Sequence, residues 1–246
     1  MPGADGYFGE DIAATYDETS ADMFRPEAVD PPVELLAELA GDGRALEFGI
    51  GTGRIALPLA ARGVPVHGIE LSRAMAARLR DKPGGDAVDV TIGDFATTRV
   101  PGTFAVAYLV YNTINNLTTQ DAQVACFRNA ADHLRPGGTF VVEVGVPDLR
   151  RLPPGQTAVP FRIGPTEWAF DTYDVATQAM SSHYVTITDG RAEHWSLPFR
   201  YVWPAELDLM ARLAGMRLRD RWEEWSRTPF TGESTQHVSV WEKPAE

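Results

Sequence analysis

The sequence predicts an α/β fold in which a Rossmann-like, seven-stranded and mostly parallel sheet carries helices on both faces and a small antiparallel β insertion. Short apolar segments alternate repeatedly with helical segments between residues 31 and 145, and this order is typical of parallel sheets. The apolar segments are nearly uninterrupted, as expected of strands that are covered on both faces. After residue 150 polar and apolar residues alternate, and the pair Asp189-Gly190 favours a tight hairpin turn.

The predicted elements follow one another in a regular order up to residue 145. Pro31 and Pro32 open a helix with an apolar face, and the glycines of Gly41-Asp42-Gly43 end it. The first strand, at 45–48, leads into a glycine run and a helix that ends near Gly63. Further strands are predicted at 64–69, 88–92, 104–110 and 139–144. Helices are predicted at 72–82 and 121–134, and a turn at 135–138 precedes the last of these strands.

The second part of the chain follows a different pattern but is not separated by a linker. Alternating segments from 159 to 202 predict three or four antiparallel strands, and helical spacing returns at 205–214. The last two strands are predicted as an antiparallel hairpin at 216–225 and 237–241. We therefore predict one domain, 1–246. It consists of an N-terminal helical lid (1–40), a central core (41–145), the insertion (150–203), and a late helix with the last two strands (204–246).

The composition argues against several classes of function. The net charge of −12 repels polyanions, so nucleic acid is not an expected partner. No run of about 18 apolar residues is available for a membrane helix, and the N-terminus lacks a basic and apolar signal segment. The single cysteine, Cys126, excludes an internal disulfide framework, and these features together predict a cytoplasmic protein.

A glycine run between a strand and a helix is the strongest motif of the sequence. Gly49, Gly51 and Gly53 allow the backbone to turn tightly and to approach a ligand closely. Glu70 ends the next strand, about twenty positions after the first glycine, where a carboxylate can accept both hydroxyls of a ribose. The motif predicts a pocket for an adenosine-type ligand. Arg54 stands where a dinucleotide fingerprint has its last glycine, which argues against a dinucleotide.

Several sequence runs together resemble class I S-adenosylmethionine-dependent methyltransferases of the small-molecule type. A Tyr16-Asp17 pair near the N-terminus is similar to one that is common in these enzymes. The hairpin-rich insertion is similar to that of small-molecule methyltransferases, including sugar N,N-dimethyltransferases. The runs that carry the resemblance are Glu47-Phe48-Gly49-Ile50-Gly51-Thr52-Gly53, Gly68-Ile69-Glu70-Leu71-Ser72 with Met75, Gly93-Asp94-Phe95, and Leu134-Arg135-Pro136-Gly137-Gly138.

The resemblance implies S-adenosyl-L-methionine as the cofactor and 41–145 as the cofactor-binding core. Gly49, Gly51 and Gly53 would let the methionine part lie against the backbone, and Glu47 would be the acid near its ammonium. The adenosine part would contact the ribose-binding carboxylate of Glu70 and four further residues, namely Leu71, Met75, Asp94 and Phe95. Tyr16 would approach the carboxylate or the sulfonium, and Tyr111 and Asn112 would lie near the transferable methyl group.

The chemistry implied by the resemblance is an in-line displacement at a methyl group. The protein must position the nucleophile, exclude water and in some cases remove a proton. Aromatic faces can stabilise the sulfonium cation without competing as nucleophiles. A metal is not required, and the sequence offers no clustered set of His, Cys and Asp ligands, so we expect no metal site.

The candidates for catalysis at the substrate side are Tyr16, Asn112, Glu143 and His194. Glu143 interrupts an apolar strand, and an unpaired buried acid is costly, so it either faces a wet pocket or pairs with an arginine. His183 and His194 lie in the insertion and are candidate bases, whereas His67, His133 and His237 are expected to be structural.

The aromatic residues of the insertion allow two interpretations. They form either an apolar pocket for the methyl acceptor or a packed surface, within the sheet or across the interface of a homodimer. The residues concerned are Trp168, Tyr173, Tyr184, Trp195 and Trp203. The segment 150–203 is accordingly predicted to be a substrate cap or a dimer element.

The function predicted from the sequence is methyl transfer from S-adenosylmethionine to an O, N or C nucleophile of a small metabolite. Two alternatives remain open at this point. One is a protein that binds S-adenosylmethionine without methyl transfer, and the other is a dinucleotide-dependent oxidoreductase.

Overall fold

The computed structural model describes residues 6–245, so Met1 to Asp5 of the predicted lid and Glu246 lie outside the described residues. The helices are α1 Glu10–Thr19, α2 Pro26–Ala40, α3 Ala56–Ala61, α4 Arg73–Arg80, α5 Gln120–His133 and α6 Pro204–Leu213. The strands are β1 Ala45–Phe48, β2 Val66–Glu70, β3 Asp89–Ile92, β4 Phe104–Leu109, β5 Leu134–Gly145, β6 Ala158–Ile163, β7 Glu167–Tyr173, β8 Ala179–Thr188, β9 Arg191–Arg200, β10 Arg217–Trp222 and β11 Gln236–Glu242.

The main sheet has seven strands in the order β10-β11-β5-β4-β1-β2-β3. The pairings β1–β2, β2–β3, β1–β4 and β4–β5 are parallel, whereas β11 runs antiparallel to both of its neighbours. The predicted Rossmann-like sheet and its antiparallel last hairpin are therefore confirmed. The strand order reverses between β1 and β4, and in such sheets the ligand crevice lies outside the carboxyl ends of the strands at this point.

Helices cover both faces of the main sheet, as predicted. On one face α5 and α6 pack with Phe127, Leu207 and Met210 against the strands. On the other face α2 and α3 contribute Leu36 and Leu59 to a second apolar core. Because both faces are buried, the central strands need the uninterrupted apolar runs that the sequence shows. No helix among residues 6–245 has the length and hydropathy of a membrane span.

Two predicted boundaries were wrong. Pro31 and Pro32 lie inside α2, because Pro26 already occupies the first turn, where proline is tolerated. The expected turn at 135–138 belongs to β5 as an irregularity of the ladder. Leu134 pairs with Phe104 and Thr139 with Val106, so the residues between them bulge out of register.

The predicted antiparallel insertion is a separate four-stranded sheet in the order β6-β7-β8-β9. It follows the carboxyl end of β5 and returns to the main core through α6. Tyr184 in β8 and Trp195 in β9 are directly paired, so their side chains share one face of this sheet. His183 and His194 share the opposite face with Phe170, because neighbouring residues of a strand point to opposite sides.

A buried polar network fixes the second sheet to the main core. Arg200, at the end of β9, is 4% exposed and donates to Gln123 of α5, to Gln178 at 3.0 Å and to Glu206 of α6 at 2.8 Å. Gln178 donates in turn to Glu206 at 2.8 Å and has a left-handed backbone, with φ 61°. The network satisfies the buried guanidinium with oxygen atoms from both parts of the fold.

We expect Arg200→Met to lower the free energy of unfolding by about 3 kcal/mol, because the side chains of Glu206, Gln123 and Gln178 lose their common donor inside the protein. Urea unfolding at pH 7 measures the loss. Arg217→Met is the control, since Arg217 forms a solvent-exposed pair with Glu242 at 3.4 Å and should cost less than about 1 kcal/mol. Equal losses in the two variants would contradict the anchoring role of Arg200.

Candidate active site

The candidate site lies at the carboxyl ends of β1, β2 and β4, where the strand order of the main sheet reverses. The loop after β1 carries the glycine run, and Gly49, Gly51 and Gly53 have φ values of 69°, 56° and 83°. These are left-handed conformations that favour glycine. Gly49 donates its N–H to the carbonyl of Ile69 in β2 at 2.8 Å, which holds the loop against the neighbouring strand.

The side chain of Glu70 ties this loop to the next helix. One carboxylate oxygen accepts the Gly51 N–H and the other accepts the Ser72 N–H, both at 2.8 Å. Ser72 in turn caps α4 by accepting the Met75 N–H at 3.1 Å. The carboxylate thus joins the glycine loop to the start of α4.

Glu47 lies beneath the glycine loop and is only 2% exposed. Its Oε2 accepts a hydrogen bond from the Tyr108 hydroxyl at 2.9 Å. Burial raises the pKa of Glu47 to about 8, although Tyr108 and the Arg54 guanidinium both act in the opposite direction. The carboxyl is therefore mostly protonated at pH 7 unless a cation comes to lie beside it.

Arg54 is a site residue whose role the sequence analysis missed. Its charge lowers the pKa of Glu47 and of Tyr16, and its guanidinium carbon lies 5.7 Å from the centre of the Tyr111 ring. The available signal was its position, next to the last glycine of the run. From the sequence alone, Arg54 only argued against a dinucleotide.

Tyr16 reaches the same place from α1. Burial raises its pKa, and the neighbouring Tyr111, Glu70 and Asp17 raise it further, whereas Arg54 lowers it. The tyrosine therefore stays protonated at neutral pH. The structure thus brings Tyr16 and Tyr111 close enough to interact electrostatically at the edge of the glycine loop.

The turn after β4 is strained and is held by Glu143. Tyr111 and Asn112 have φ values of 54° and 60°, which is unusual for two consecutive residues other than glycine. Glu143 accepts the Tyr111 N–H at 2.7 Å and the indole N–H of Trp225 at 2.8 Å. The Asn112 side-chain oxygen accepts the Gly145 N–H at 2.7 Å. Strain of this kind is characteristic of functional sites.

These contacts decide the environment of Glu143. The sequence left two alternatives, a wet pocket or an arginine partner, and the ion pairs among the described residues include none between Glu143 and an arginine. Its partners are instead a backbone amide and an indole, which balance a half-buried carboxylate without a second charge. Its position indicates that it fixes the turn and thereby the Tyr111 side chain.

The residues predicted to contact adenine differ in their placement. Met75 is buried near the glycine loop, and its methyl carbon would lie 3.7 Å from a Cβ added to Gly51. Leu71 and Asp94 are exposed at the rim, and one Asp94 oxygen accepts the Ala96 N–H at 2.8 Å. Phe95 is a core residue that stacks on Phe48 with ring centres 5.9 Å apart.

The second sheet approaches this site with the face that carries Tyr184. Burial raises the pKa of Tyr184, and Asp171 and Tyr111 raise it further, so the phenol lies within electrostatic range of both. Tyr184 stacks on Trp195 with ring centres 4.0 Å apart and an angle of 9° between the planes. Asp171 accepts a hydrogen bond from the Ser182 hydroxyl at 2.6 Å on the same face.

His194 does not lie on that face. It stacks on His183, with ring centres 5.5 Å apart, on the side of the second sheet opposite to Tyr184. The other three histidines are buried and form hydrogen bonds within the fold, with the partners Thr91, Val100 and Ser239. Within residues 6–245 no group of three or more His, Cys, Asp or Glu side chains is arranged to hold a metal ion.

The charges around the glycine loop fit the cofactor implied by the motifs. Near the glycine loop lie the acids Glu47 and Glu70 and the guanidinium of Arg54, which acts electrostatically on Glu47. The amino-acid part of S-adenosylmethionine carries one ammonium and one carboxylate, so it matches an acid and a guanidinium. The ionised form of the buried Glu47 needs a neighbouring cation, and the ammonium of the cofactor could act as one.

Comparisons with known proteins agree with this geometry. A family model described as "Methyltransferase domain" matches residues 45–138. The cypemycin N-terminal methyltransferase of a Streptomyces species is 27% identical over 242 residues, which cover 94% of this chain and 98% of that protein. CalS10 is an amino pentose methyltransferase from Micromonospora echinaspora whose structure contains bound S-adenosylmethionine. It matches with a TM-score of 0.66 at 22% identity, over 92% of this chain and 96% of its own, which shows the shared fold.

The CcbJ methyltransferase from Streptomyces caelestis gives the stronger evidence. Its structure matches with a TM-score of 0.85, covering 97% of this chain and 98% of its own. The two sequences are 36% identical over that match. With this relationship along nearly the whole of both chains, and with the glycine loop and its acids in place, the protein belongs to the class I S-adenosylmethionine-dependent methyltransferases.

Proposed function

We propose that this methyltransferase transfers the methyl group to an amine nitrogen of a small molecule that binds between Tyr111 and the second sheet. The observation that carries the proposal is the pairing of a carboxylate, Asp171, with the aromatic rings of Tyr184 and Trp195 on the face that approaches Tyr111. Aromatic faces and a carboxylate are the groups that bind an ammonium or its neutral amine most selectively. A hydroxyl acceptor would bring no positive charge for these groups to bind.

The relatives support an amine acceptor. The cypemycin enzyme is named as an N-terminal methyltransferase, and CalS10 is named as an amino pentose methyltransferase. Both names describe molecules that bear amino groups. The match to the cypemycin enzyme covers 94% of this chain, so it extends over most residues of the second sheet.

The cofactor-binding residues have separate tasks in this proposal. Glu47 pairs with the ammonium of the methionine part and Arg54 with its carboxylate, while Glu70 accepts the ribose hydroxyls. The adenine is enclosed at the rim by Leu71, Met75, Asp94 and Phe95. When bound, the cofactor supplies a methyl group that is activated by the positive charge on its sulfur.

The residues nearest to the acceptor orient it and exclude water. Tyr16 and Tyr111 would present electron-rich rings and hydroxyls to the cationic centre from α1 and from the strained turn. The side-chain amide nitrogen of Asn112 would donate to the acceptor while its oxygen holds Gly145. Glu143 acts through Tyr111 as a positioning residue, and His194 takes no part because it lies on the other face of the second sheet.

The choice of nucleophile is tested with a panel of small primary and secondary amines and their hydroxyl isosteres. We expect formation of S-adenosylhomocysteine with members of the amine group only. We expect Asp171→Asn to raise the KM for the best amine more than tenfold while the affinity for S-adenosylhomocysteine changes less than threefold. His194→Ala is the matched control and should leave both values unchanged, since it alters the opposite face of the same sheet.

Two results would overturn the amine assignment. The first is turnover of hydroxyl isosteres with no turnover of amines. The second is an Asp171→Asn variant with an unchanged KM, which would move the acceptor away from this face. If Tyr184→Ala or Trp195→Ala instead dissociates a homodimer in sedimentation experiments with normal kinetics per folded subunit, the aromatic face is an assembly surface.

The ribose contact predicts a ligand-dependent effect of Glu70→Gln. We expect this variant to bind S-adenosylhomocysteine at least tenfold more weakly, because charge-assisted hydrogen bonds contribute roughly 1.5–3 kcal/mol each. The analogue that lacks the 2′- and 3′-hydroxyls should lose much less affinity on the same substitution, and calorimetry measures both. Equal losses for the two ligands would show that Glu70 acts only by holding Gly51 and Ser72.

The raised pKa of Glu47 predicts a proton release on binding. Glu47 is protonated in the free protein at pH 7 and must ionise to pair with an ammonium, so binding of S-adenosylhomocysteine should release close to one proton. The affinity should rise between pH 6 and pH 8, by at most about tenfold per pH unit. Calorimetry in buffers of different ionisation enthalpy measures the number of protons.

Glu47→Gln keeps an acceptor for Tyr108 but cannot ionise, so it should bind weakly and release no proton. It also tests the sign of the linked stability. Because the folded pKa of Glu47 is raised to about 8 from 4.5, the wild type should lose stability relative to this variant as the pH rises between those values. Proton-free binding by the wild type would exclude Glu47 as the partner of the ammonium.

A further inference from the structure

Two ion pairs join α1 to α4 and to the residues just after α4, and they have different surroundings. Glu10 and Arg78 form the first, an exposed contact of 3.9 Å. Asp17 and Lys82 form the second, at the end of α1 that reaches the glycine loop. Only the second pair is connected to the cofactor-binding loop by further hydrogen bonds in the described part of the chain.

Lys82 is the centre of these connections. Its ammonium donates to the carbonyl of Thr52 at 2.8 Å and pairs with the Asp17 carboxylate. It also lies 5.0 Å from the centre of the Phe24 ring. One compact ammonium with three donors thus contacts a backbone carbonyl, a carboxylate and an aromatic ring.

Lysine is rare in this chain. Of 22 basic residues only Lys82 and Lys243 are lysine. The second lysine also donates to backbone carbonyls, those of Ala131 and Leu134 at 2.8 and 2.9 Å. At both lysines one ammonium contacts two or more oxygen atoms of the backbone or side chains.

The partners of Lys82 lie beside the groups assigned to the cofactor. Thr52 is 2% exposed and stands between Gly51 and Gly53 in the loop. Its hydroxyl donates to the other Asp17 oxygen at 2.6 Å, so the hydroxyl and the carbonyl of this residue are both bound. Asp17 follows Tyr16 in α1, so its two bonds also fix the place at which the Tyr16 ring enters the site.

We propose that Lys82 is a positioning residue for cofactor binding, which locks the glycine loop and Tyr16 into one arrangement through Thr52 and Asp17. Without such contacts the glycine loop could adopt many conformations, because three of its residues lack a side chain that would restrict the backbone. A loop that is already fixed loses less entropy when the ligand binds. The proposal rests on the cofactor site alone and does not depend on the nature of the acceptor.

The test compares Lys82→Met with Arg78→Met, which removes the charge from the neighbouring ion pair between α1 and α4. We expect Lys82→Met to weaken binding of S-adenosylhomocysteine at least tenfold in calorimetry, and Arg78→Met to change it less than twofold. The binding stoichiometry should stay near one per chain in both variants. Circular dichroism and urea unfolding establish the folded fraction.

A double-mutant cycle with Asp17→Asn identifies the route of the effect. Because Lys82 is proposed to act through Asp17 and Thr52, the double variant Asp17→Asn/Lys82→Met should bind less than threefold more weakly than Lys82→Met alone. Thr52→Val, which removes the hydroxyl bonded to Asp17, should weaken binding by a factor between those of the control and of Lys82→Met.

The proposal is overturned if the folded fraction of Lys82→Met binds with wild-type affinity, which would assign Lys82 a role in stability alone. It is also overturned if Arg78→Met weakens binding as strongly, since any contact between α1 and α4 would then suffice. Full additivity of Asp17→Asn and Lys82→Met would likewise exclude a shared route. These outcomes are independent of the amine panel, so the two proposals can fail separately.

Discussion

The hydrogen bonds of the Glu70 carboxylate are the interaction on which the cofactor site depends. This one side chain, at the end of β2, accepts the amide of Gly51 in the loop after β1 and the amide of Ser72 at the start of α4. It therefore sets the separation of the two segments that must enclose the ligand. A loop of glycines could not hold that position unaided, because its backbone is the least restricted of any residue type.

The second feature of the site is a buried acid whose ionised form is disfavoured by burial. Glu47 is buried under the loop, and its carboxyl carries a proton near pH 7 because burial disfavours the ion. Arg54 lies close enough to offset part of that cost. In the proposed function the ammonium of a zwitterion would allow the acid to ionise, and the Arg54 guanidinium would donate to the carboxylate of the same ligand. The family of the protein is consistent with this selectivity.

The second sheet is joined to the main core by buried polar contacts. Arg200 fastens it to α5 and α6 through a buried network, while Glu143 and Trp225 fix the turn that carries Tyr111 below it. The distance between Tyr111 and the aromatic face of the sheet is therefore set by two separate groups of polar contacts. Each group includes a contact between distant segments of the chain, namely Arg200 with Gln123 and Glu143 with Trp225.

The sequence by itself determined the parallel sheet, the antiparallel insertion and the glycine loop with Glu70, because these follow from local periodicity and from residues near each other in the chain. It did not determine the partners of Glu143 or the roles of Arg54 and Lys82, or that His194 points away from Tyr184. Those features depend on contacts between distant segments, such as that between Glu143 and Trp225. Only the packing of the tertiary structure decides which side chains meet, because a strand or helix pattern specifies a face but not the residue that lies against it.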